Sequence, residues 1–272
     1  MKVKWYGHAA FLITSDQGMK VITDPYEPGG FGGAIGYGQI PDEADIVLVS
    51  HDHADHNDVK SLRGKPRVVK GAVTHRVSGL EIKGIATYHD ENKGSERGPN
   101  TIFCLQVDGL RLCHLGDLGY VLNEQEAKQI GAVDLLLIPV GGVYTIDPAQ
   151  AGQVAQRLNP RITIPMHYKT PHCGVPLAKV EDFTAGKPGV KVFKVSDLEV
   201  RKETLPKNPE IIVLQPALKP GRKVHGVKRK KTIKSPLPAL LRLFGNSSCP
   251  QRRASRLLET RIISNTCFPP LP

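Results

Sequence analysis

Ile46-Val47-Leu48-Val49-Ser50-His51-Asp52-His53-Ala54-Asp55-His56-Asn57-Asp58 is the stretch whose reading decides the fold. Its first four residues are apolar and mostly β-branched, and Pro41, Asp42, Glu43 and Asp45 bound them upstream, which is the pattern of a short buried strand. Three imidazoles and a carboxylate then fall within six residues at the strand's C-terminal end. Beyond them Asp58 is expected to cap a short helix running from Val59 towards Arg63, with Gly64 and Pro66 stopping it. A tight turn between two rigid elements aims several side chains at one point. Imidazole nitrogen and carboxylate oxygen are the ligand set of zinc, and also suit manganese or iron when oxygen ligands share the site. His51 and His53, two apart, can face one ion, whereas Asp55 and His56 are offset and would face a second. A solvated polar loop accounts for any single histidine here, but gives no reason to concentrate four such ligands.

The chain has 272 residues, 40% of them hydrophobic, enough to bury one good core. No apolar run approaches the ~20 residues that a membrane-spanning helix needs. Lys2, Lys4 and His8 interrupt the N-terminus before a signal-peptide core could form, so a cytoplasmic protein is expected. Five cysteines without Cys-x-x-Cys spacing suit reduced thiols rather than a disulfide framework or a thiolate site. The net charge of +11 is unevenly divided: residues 217–272 hold 13 of the 37 Lys and Arg but only one of the 26 acidic residues, Glu259. Residues 1–216 are therefore expected to form the domain, at a net charge of −1, and 217–272 a basic disordered extension. That extension contains Lys228-Arg229-Lys230-Lys231, seven prolines and a short apolar island at 240–244. Nucleic acid is a conceivable partner through the extension alone.

Outward from the histidine loop, polar residues recur where strands end. Short strands are expected over 3–7, 11–14 and 20–23, with His8 in the first turn, either lining a site or closing a strand end. Asp24 follows the third strand as a carboxylate able to accept the second N–H of a metal-bound imidazole. Strands at 67–69 and 80–88 lead to His89, and the loop 91–100 offers Arg97 or Lys93 to an anion. A hairpin about Asp108-Gly109 delivers His114-Leu115-Gly116-Asp117. A helix over 123–130 with Asn123 as cap, a strand over 134–140, and a helix from Asp147-Pro148 to Leu158 follow. The strand over 161–165 ends in Met166-His167-Tyr168, a helix over 177–183 comes next, and strands at 190–195 and 211–214 close the domain. Strands alternating with hairpins and helices indicate an α/β sandwich whose strand ends feed one rim.

In order and placement, His51, His53, Asp55, His56, His89, Asp117 and His167 resemble the ligand series of the metallo-β-lactamase superfamily. Trp5-Tyr6-Gly7-His8-Ala9, Thr23-Asp24-Pro25, His114-Leu115-Gly116-Asp117 and Pro165-Met166-His167-Tyr168 look like its small metal-dependent hydrolases. Those are similar in turn to ascorbate-6-phosphate lactonase and N-acyl phosphatidylethanolamine phospholipase D. The resemblance spans about residues 1–214 and implies a four-layer αββα sandwich. It implies that His51, His53 and His89 hold one divalent ion and that Asp55, His56 and His167 hold another. Asp117 would bridge them, with Asp55 and Asp117 serving catalysis. The ions would be zinc, with manganese or iron as alternatives, and a hydroxide they share would attack an ester, lactone or phosphodiester bond of a small molecule. His114 competes with His89 as third ligand by its strand-end position; the family pattern favours His89 and leaves His114, with His8, Asp24 and Arg97, beside the ligands or the substrate. Asp117 stands where the lactamases carry a cysteine ligand and His53 where the diiron members carry a glutamate, which argues against β-lactam and redox chemistry. A non-catalytic metal scaffold is the remaining class, yet a structural zinc site needs only four ligands.

Overall fold

The computed structural model describes residues 1–217; the basic extension, its proposed disorder and any nucleic-acid contact made by it lie outside the described residues. Two mixed sheets face each other. The first runs β13-β1-β2-β3-β4-β5, from β1 (Lys2–Gly7), β2 (Ala10–Thr14), β3 (Lys20–Thr23), β4 (Ile46–Val49), β5 (Arg67–Lys70) and β13 (Asp197–Glu199). The second runs β12-β14-β11-β10-β9-β8-β7-β6. Its strands are β6 (Thr74–Val77), β7 (Leu80–Tyr88), β8 (Pro99–Val107), β9 (Leu110–His114), β10 (Leu135–Pro139), β11 (Ile162–Met166), β12 (Val190–Val192) and β14 (Glu210–Val213).

Side-chain alternation builds the layers, since successive residues of a strand point to opposite faces. Val3, Trp5, Phe11, Ile13, Val21, Ile46 and Leu48 project into the core shared with the second sheet. Their neighbours Tyr6, Ala10, Leu12, Ile22, Val47 and Val49 form a separate cluster on the outer face, under Tyr26, Ile35, Tyr37 and Ile40. Every residue of β10 is buried, as expected of a strand lying parallel between β9 and β11 with a helix over it. The helices α2 (Glu124–Ile130), α3 (Pro148–Leu158) and α4 (Val180–Thr184) make the outer layer of the second sheet, with α3 on β10 and against both neighbours. Capping boxes at Asn123 with Glu126 and at Asp147 with Gln150 fix the starts of α2 and α3. Over the first sheet the outer layer is thin. It consists of the one-turn α1 (Gly30–Gly33), left-handed at Phe31 and Gly32, and a 3-10 turn at Val59–Ser61.

Several elements differ from the sequence reading. The segment after Asp58 shrinks to that 3-10 turn and the Asp58 side chain accepts no capping hydrogen bond, because so short a run gains too few hydrogen bonds to support an α-helix. Helix α4 begins at Val180 rather than 177. The strand at 190 stops at Val192, since residues 193–196 cross from one sheet to the other: Phe193 donates to Val213 O (2.8 Å), and Trp5 donates to Ser196 O (2.8 Å). Strands β6 and β13 were not expected; both are short, polar edge strands whose pairing comes from distant partners. Ala217 donates to Trp5 O (2.8 Å), so the fold engages the chain one residue beyond the expected boundary at 216. Among the described residues no helix is long and apolar enough to cross a membrane.

Candidate metal centre

Five strand ends converge on one rim. β4 delivers His51, His53, Asp55 and His56; β3 delivers Asp24; β7 delivers His89; β9 leads through His114 to Asp117; and β11 delivers His167. His8, in the turn between β1 and β2, joins them. His8, Asp24 and His167 hold positive φ (51°, 37° and 50°), a region that costs non-glycine residues energy and that recurs where side-chain aim is constrained.

The side chains fall into two groups about Asp117. One ligand atom each from His51, His53 and His89 lies within 4.8 Å of the others, and the same holds for His8, Asp55, His56 and His167. Asp117 Oδ2 lies between the groups, 3.9 Å from His51 Nε2, 3.3 Å from His89 Nε2, 3.1 Å from His56 Nε2 and 3.3 Å from His167 Nε2. All seven residues that the sequence put forward as ligands are thus brought together. His114 is not among them. Its Nε2 donates to Asp24 Oδ2 at 2.8 Å, behind the cluster.

Asp24 organises that rear layer. Its Oδ1 accepts from Ser50 N (2.7 Å), and its Oδ2 accepts from Ser50 Oγ (2.7 Å), His56 Nδ1 (3.1 Å) and His114 Nε2 (2.8 Å). Because a carboxylate only accepts, Ser50 Oγ is free to take the Nδ1 proton of His51 at 2.9 Å. Both His51 and His56 are thereby held with a proton on Nδ1 and with Nε2 turned towards Asp117. Asn100 does the same for the backbone. It accepts from Asp117 N (3.0 Å) while donating to Leu115 O (3.0 Å) and Thr87 Oγ1 (2.8 Å). Gly116, with φ of 55°, lets this turn pass: a Cβ there would sit 2.4 Å from Asn100 Oδ1 and 2.6 Å from Ser50 Cβ.

Electrostatics separates the imidazoles. Burial and His56 lower His51 to about 3, and burial and His167 lower His8 to about 4, so both are neutral donors at pH 7. Against burial, Asp117 and Asp55 raise His56 well above its usual range, and Asp117 raises His89. Burial opposes ionisation of Asp117 and Asp24, yet His167 and His56 hold the first well below the carboxylate range, and His114 and His56 hold the second there. The pocket therefore carries buried negative charge that attracts protons or cations.

Whether a divalent cation fits is decided by the atoms left over. His51 Nε2, His56 Nε2, Asp55 Oδ1 and Asp117 Oδ1 are buried with no hydrogen-bond partner among the described residues. An unpaired buried polar atom costs ~1–3 kcal/mol, and His51 Nε2 and His56 Nε2 both face Asp117 Oδ2, at 3.9 and 3.1 Å, so a partner shared by them is called for. Mixed imidazole and carboxylate donors fit zinc, manganese or iron. A cavity of about 470 Å³ opens onto the cluster, lined by His8, His53, Asp55, His89, Asp117 and His167 and walled by Phe31, Ala34, Arg97, Tyr144, Val175 and Pro176. Lys93 does not line it. Of these residues Ser50 was open to notice, standing directly before His51. Asn100, Thr87, Phe31 and Tyr144 carry no local signal, and only long-range packing brings them to the site.

A two-sheet αββα sandwich carries the histidine and aspartate cluster on one rim, the arrangement of a metal-dependent enzyme. The chain belongs to the beta-lactamase superfamily: residues 2–167 match the model of the Beta-lactamase superfamily domain. It is similar to two proteins named UPF0173 metal-dependent hydrolase. That of Nitratidesulfovibrio vulgaris is 31% identical over 62% of this chain and 80% of the relative. That of Archaeoglobus fulgidus is 27% identical over 79% and 96%. A Thermotoga maritima structure described as a Zn-dependent hydrolase of the metallo-beta-lactamase superfamily superposes with a TM-score of 0.64, at 36% identity over 78% of this chain and 97% of that one. A Parabacteroides distasonis structure shares the fold at 21% identity and a TM-score of 0.53, over 78% and 93%.

Proposed function

We propose that this chain hydrolyses an ester, lactone or phosphodiester bond of a small molecule, using two divalent ions, zinc foremost. His51, His53 and His89 would hold one ion, and Asp55, His56 and His167 the other, with Asp117 between them. The observation that carries this reading is the placement of Asp117 Oδ2 within 3.1 to 3.9 Å of imidazoles from both groups. A pair of divalent ions supplies Lewis acidity towards a carbonyl or phosphoryl oxygen and makes water acidic enough to attack near neutral pH.

The residues of the chain do the positioning. Asp24 and Ser50 set the ring orientations of His51 and His56, and Asn100 sets the backbone of Asp117. His8 Nε2 donates to Asp55 Oδ2 at 2.9 Å, which orients this carboxylate beside the ion it would hold with His56 and His167. The cavity walls at Phe31 and Tyr144 take the substrate. The cytoplasmic reading rests on cysteine usage: five cysteines without Cys-x-x-Cys spacing. A nucleic-acid substrate would depend on 217–272, outside the described residues, and the net −1 of residues 1–216 gives it no support.

The test is a panel of esters, lactones and phosphodiesters offered to metal-replete protein, with chelator-treated protein as control. Hydrolysis of at least one class that chelator abolishes and zinc restores is expected. Turnover indifferent to chelator, or no turnover of any class by fully metallated protein, contradicts the proposal.

A further inference from the structure

Arg97 lies beside the metal centre without belonging to it. Its guanidinium lines the cavity of the cluster and also a second cavity of about 470 Å³, which shares His53 and Arg97 with the first and adds Lys70. Five N–H donors are available on a guanidinium. Among the described residues none is spent on a side-chain hydrogen bond: the nearest acid is Glu96, whose Oε2 is 3.6 Å from Nη1 and whose Oε1 is already the acceptor of Asn92 Nδ2. The guanidinium carbon lies 5.7 Å from the ring centroid of Tyr144, a cation–π contact that holds the plane while leaving its edge free.

The backbone under Arg97 is held as firmly as the ligands. Asp90, the residue after His89, accepts from Asn92 N (2.8 Å) and Gly94 N (2.9 Å) on Oδ1, and from Glu96 N (3.1 Å) and Arg97 N (2.8 Å) on Oδ2. His89 N donates to Gly98 O (3.1 Å), which closes the loop. One turn therefore fixes together a cluster imidazole and a guanidinium that makes one long ion pair, to Glu96 at 3.6 Å, and no side-chain hydrogen bond among the described residues. Near it, Phe31 is 60% exposed and Tyr144 is 41% exposed; with Ala34, Val175 and Pro176 they give the same cavity an apolar lining.

We propose that Arg97, braced by Tyr144, is the specificity-determining residue of this pocket, and that the substrate is an ester or lactone carrying an oxyanion, carboxylate or phosphate, away from the scissile bond. The location of the scissile bond rests on the hydrolase reading above; recognition of the oxyanion rests on Arg97 alone. A guanidinium fork binds either oxyanion bidentately, and the apolar lining accepts the carbon skeleton between the anion and the reacting group.

Two measurements on the full-length, metal-loaded protein decide it. In calorimetric titration, phenylphosphonate and phenylacetate serve as the two anionic probes and benzyl alcohol as the neutral one. Wild type should bind at least one anion in preference to benzyl alcohol, the tighter anion identifying phosphate or carboxylate as the source. Arg97→Gln should weaken that anion about 10- to 100-fold and Arg97→Lys less, at equal metal content and melting temperature. Equal affinity in wild type and Arg97→Gln, or no preference for an anion in wild type, overturns the proposal. In kinetics, 4-nitrophenyl hydrogen glutarate is compared with 4-nitrophenyl pentanoate, which present the same scissile bond with and without a distal carboxylate. Arg97→Gln should raise KM for the carboxylated ester by at least ten times more than for the neutral one, with kcat moving little; an equal rise in both again overturns the proposal. Failure of wild type to hydrolyse either ester counts against ester hydrolysis, while the titration still decides the role of Arg97.

Discussion

His51, His53 and His89 meet from two sheets with no carboxylate of their own besides Asp117, and His53 is exposed at the cavity. Across Asp117, His56 and His167 are buried, Asp55 is half-buried, and His8 packs its ring 4.1 Å from that of His167. The second group carries its own negative charge; the first, the more open side through the exposed His53, is neutral apart from the bridge. If both groups hold ions, the two should not be held equally. Substrate would meet both, since His8, Asp55 and His167 line the cavity as His53 and His89 do, and the ion of the neutral side would be the weaker held.

Asp117 is the group that the two halves share, so it gives the largest expected effect. Asp117→Asn should leave the fold intact, lower bound metal from about two ions per chain to fewer than one, and abolish detectable hydrolysis. Retention of both metal and turnover would remove the bridge from the account. Next in size is the contrast between His89 and His114, both at strand ends of the second sheet. His89→Ala should empty the open side and remove most activity. His114→Ala takes one of four donors from Asp24 and should cost only ~10- to 100-fold in affinity or rate. The reverse order, measured as metal content and turnover side by side, would exchange their roles.

A smaller loss is expected at Asn100→Ala, which strips the partner from Asp117 N and Leu115 O. The unpaired backbone groups should cost ~1–3 kcal/mol in chemical denaturation, and turnover should fall with metal retained. No loss of stability, with unchanged activity, would mean that the turn at Gly116 holds itself. The smallest effect concerns 217–272. Truncation after Ala217, which keeps its bond to Trp5 O, should change melting temperature and turnover little. An insoluble or inactive product would show that the extension docks on the domain.

What was legible in the sequence follows covalent proximity. His51 to His56 stand on one turn after a strand that announces itself by four apolar residues, so their convergence is local. His89, Asp117 and His167 could be placed because each directly follows a strand with its own pattern. The residues that hold them could not: Asn100 reaches Asp117 across 17 positions and Asp24 reaches His114 across 90, and nothing in their neighbourhoods marks such pairings. Asp24 was suspected only because imidazole ligands need acceptors. The helix expected after Asp58 failed for the complementary reason, since capping residues and length compete in so short a segment and length prevails. Edge strands β6 and β13 carry little apolar signal because they bury little.

The most direct test of the whole account is staged metal removal. Protein reconstituted with zinc is dialysed against rising chelator, and elemental analysis is made at each step. Two ions per chain, lost in two stages, with His53→Ala abolishing only the weaker one, is the result expected from a neutral side and a negatively charged one. A single ion per chain, or two lost together and insensitive to His53→Ala, would contradict it.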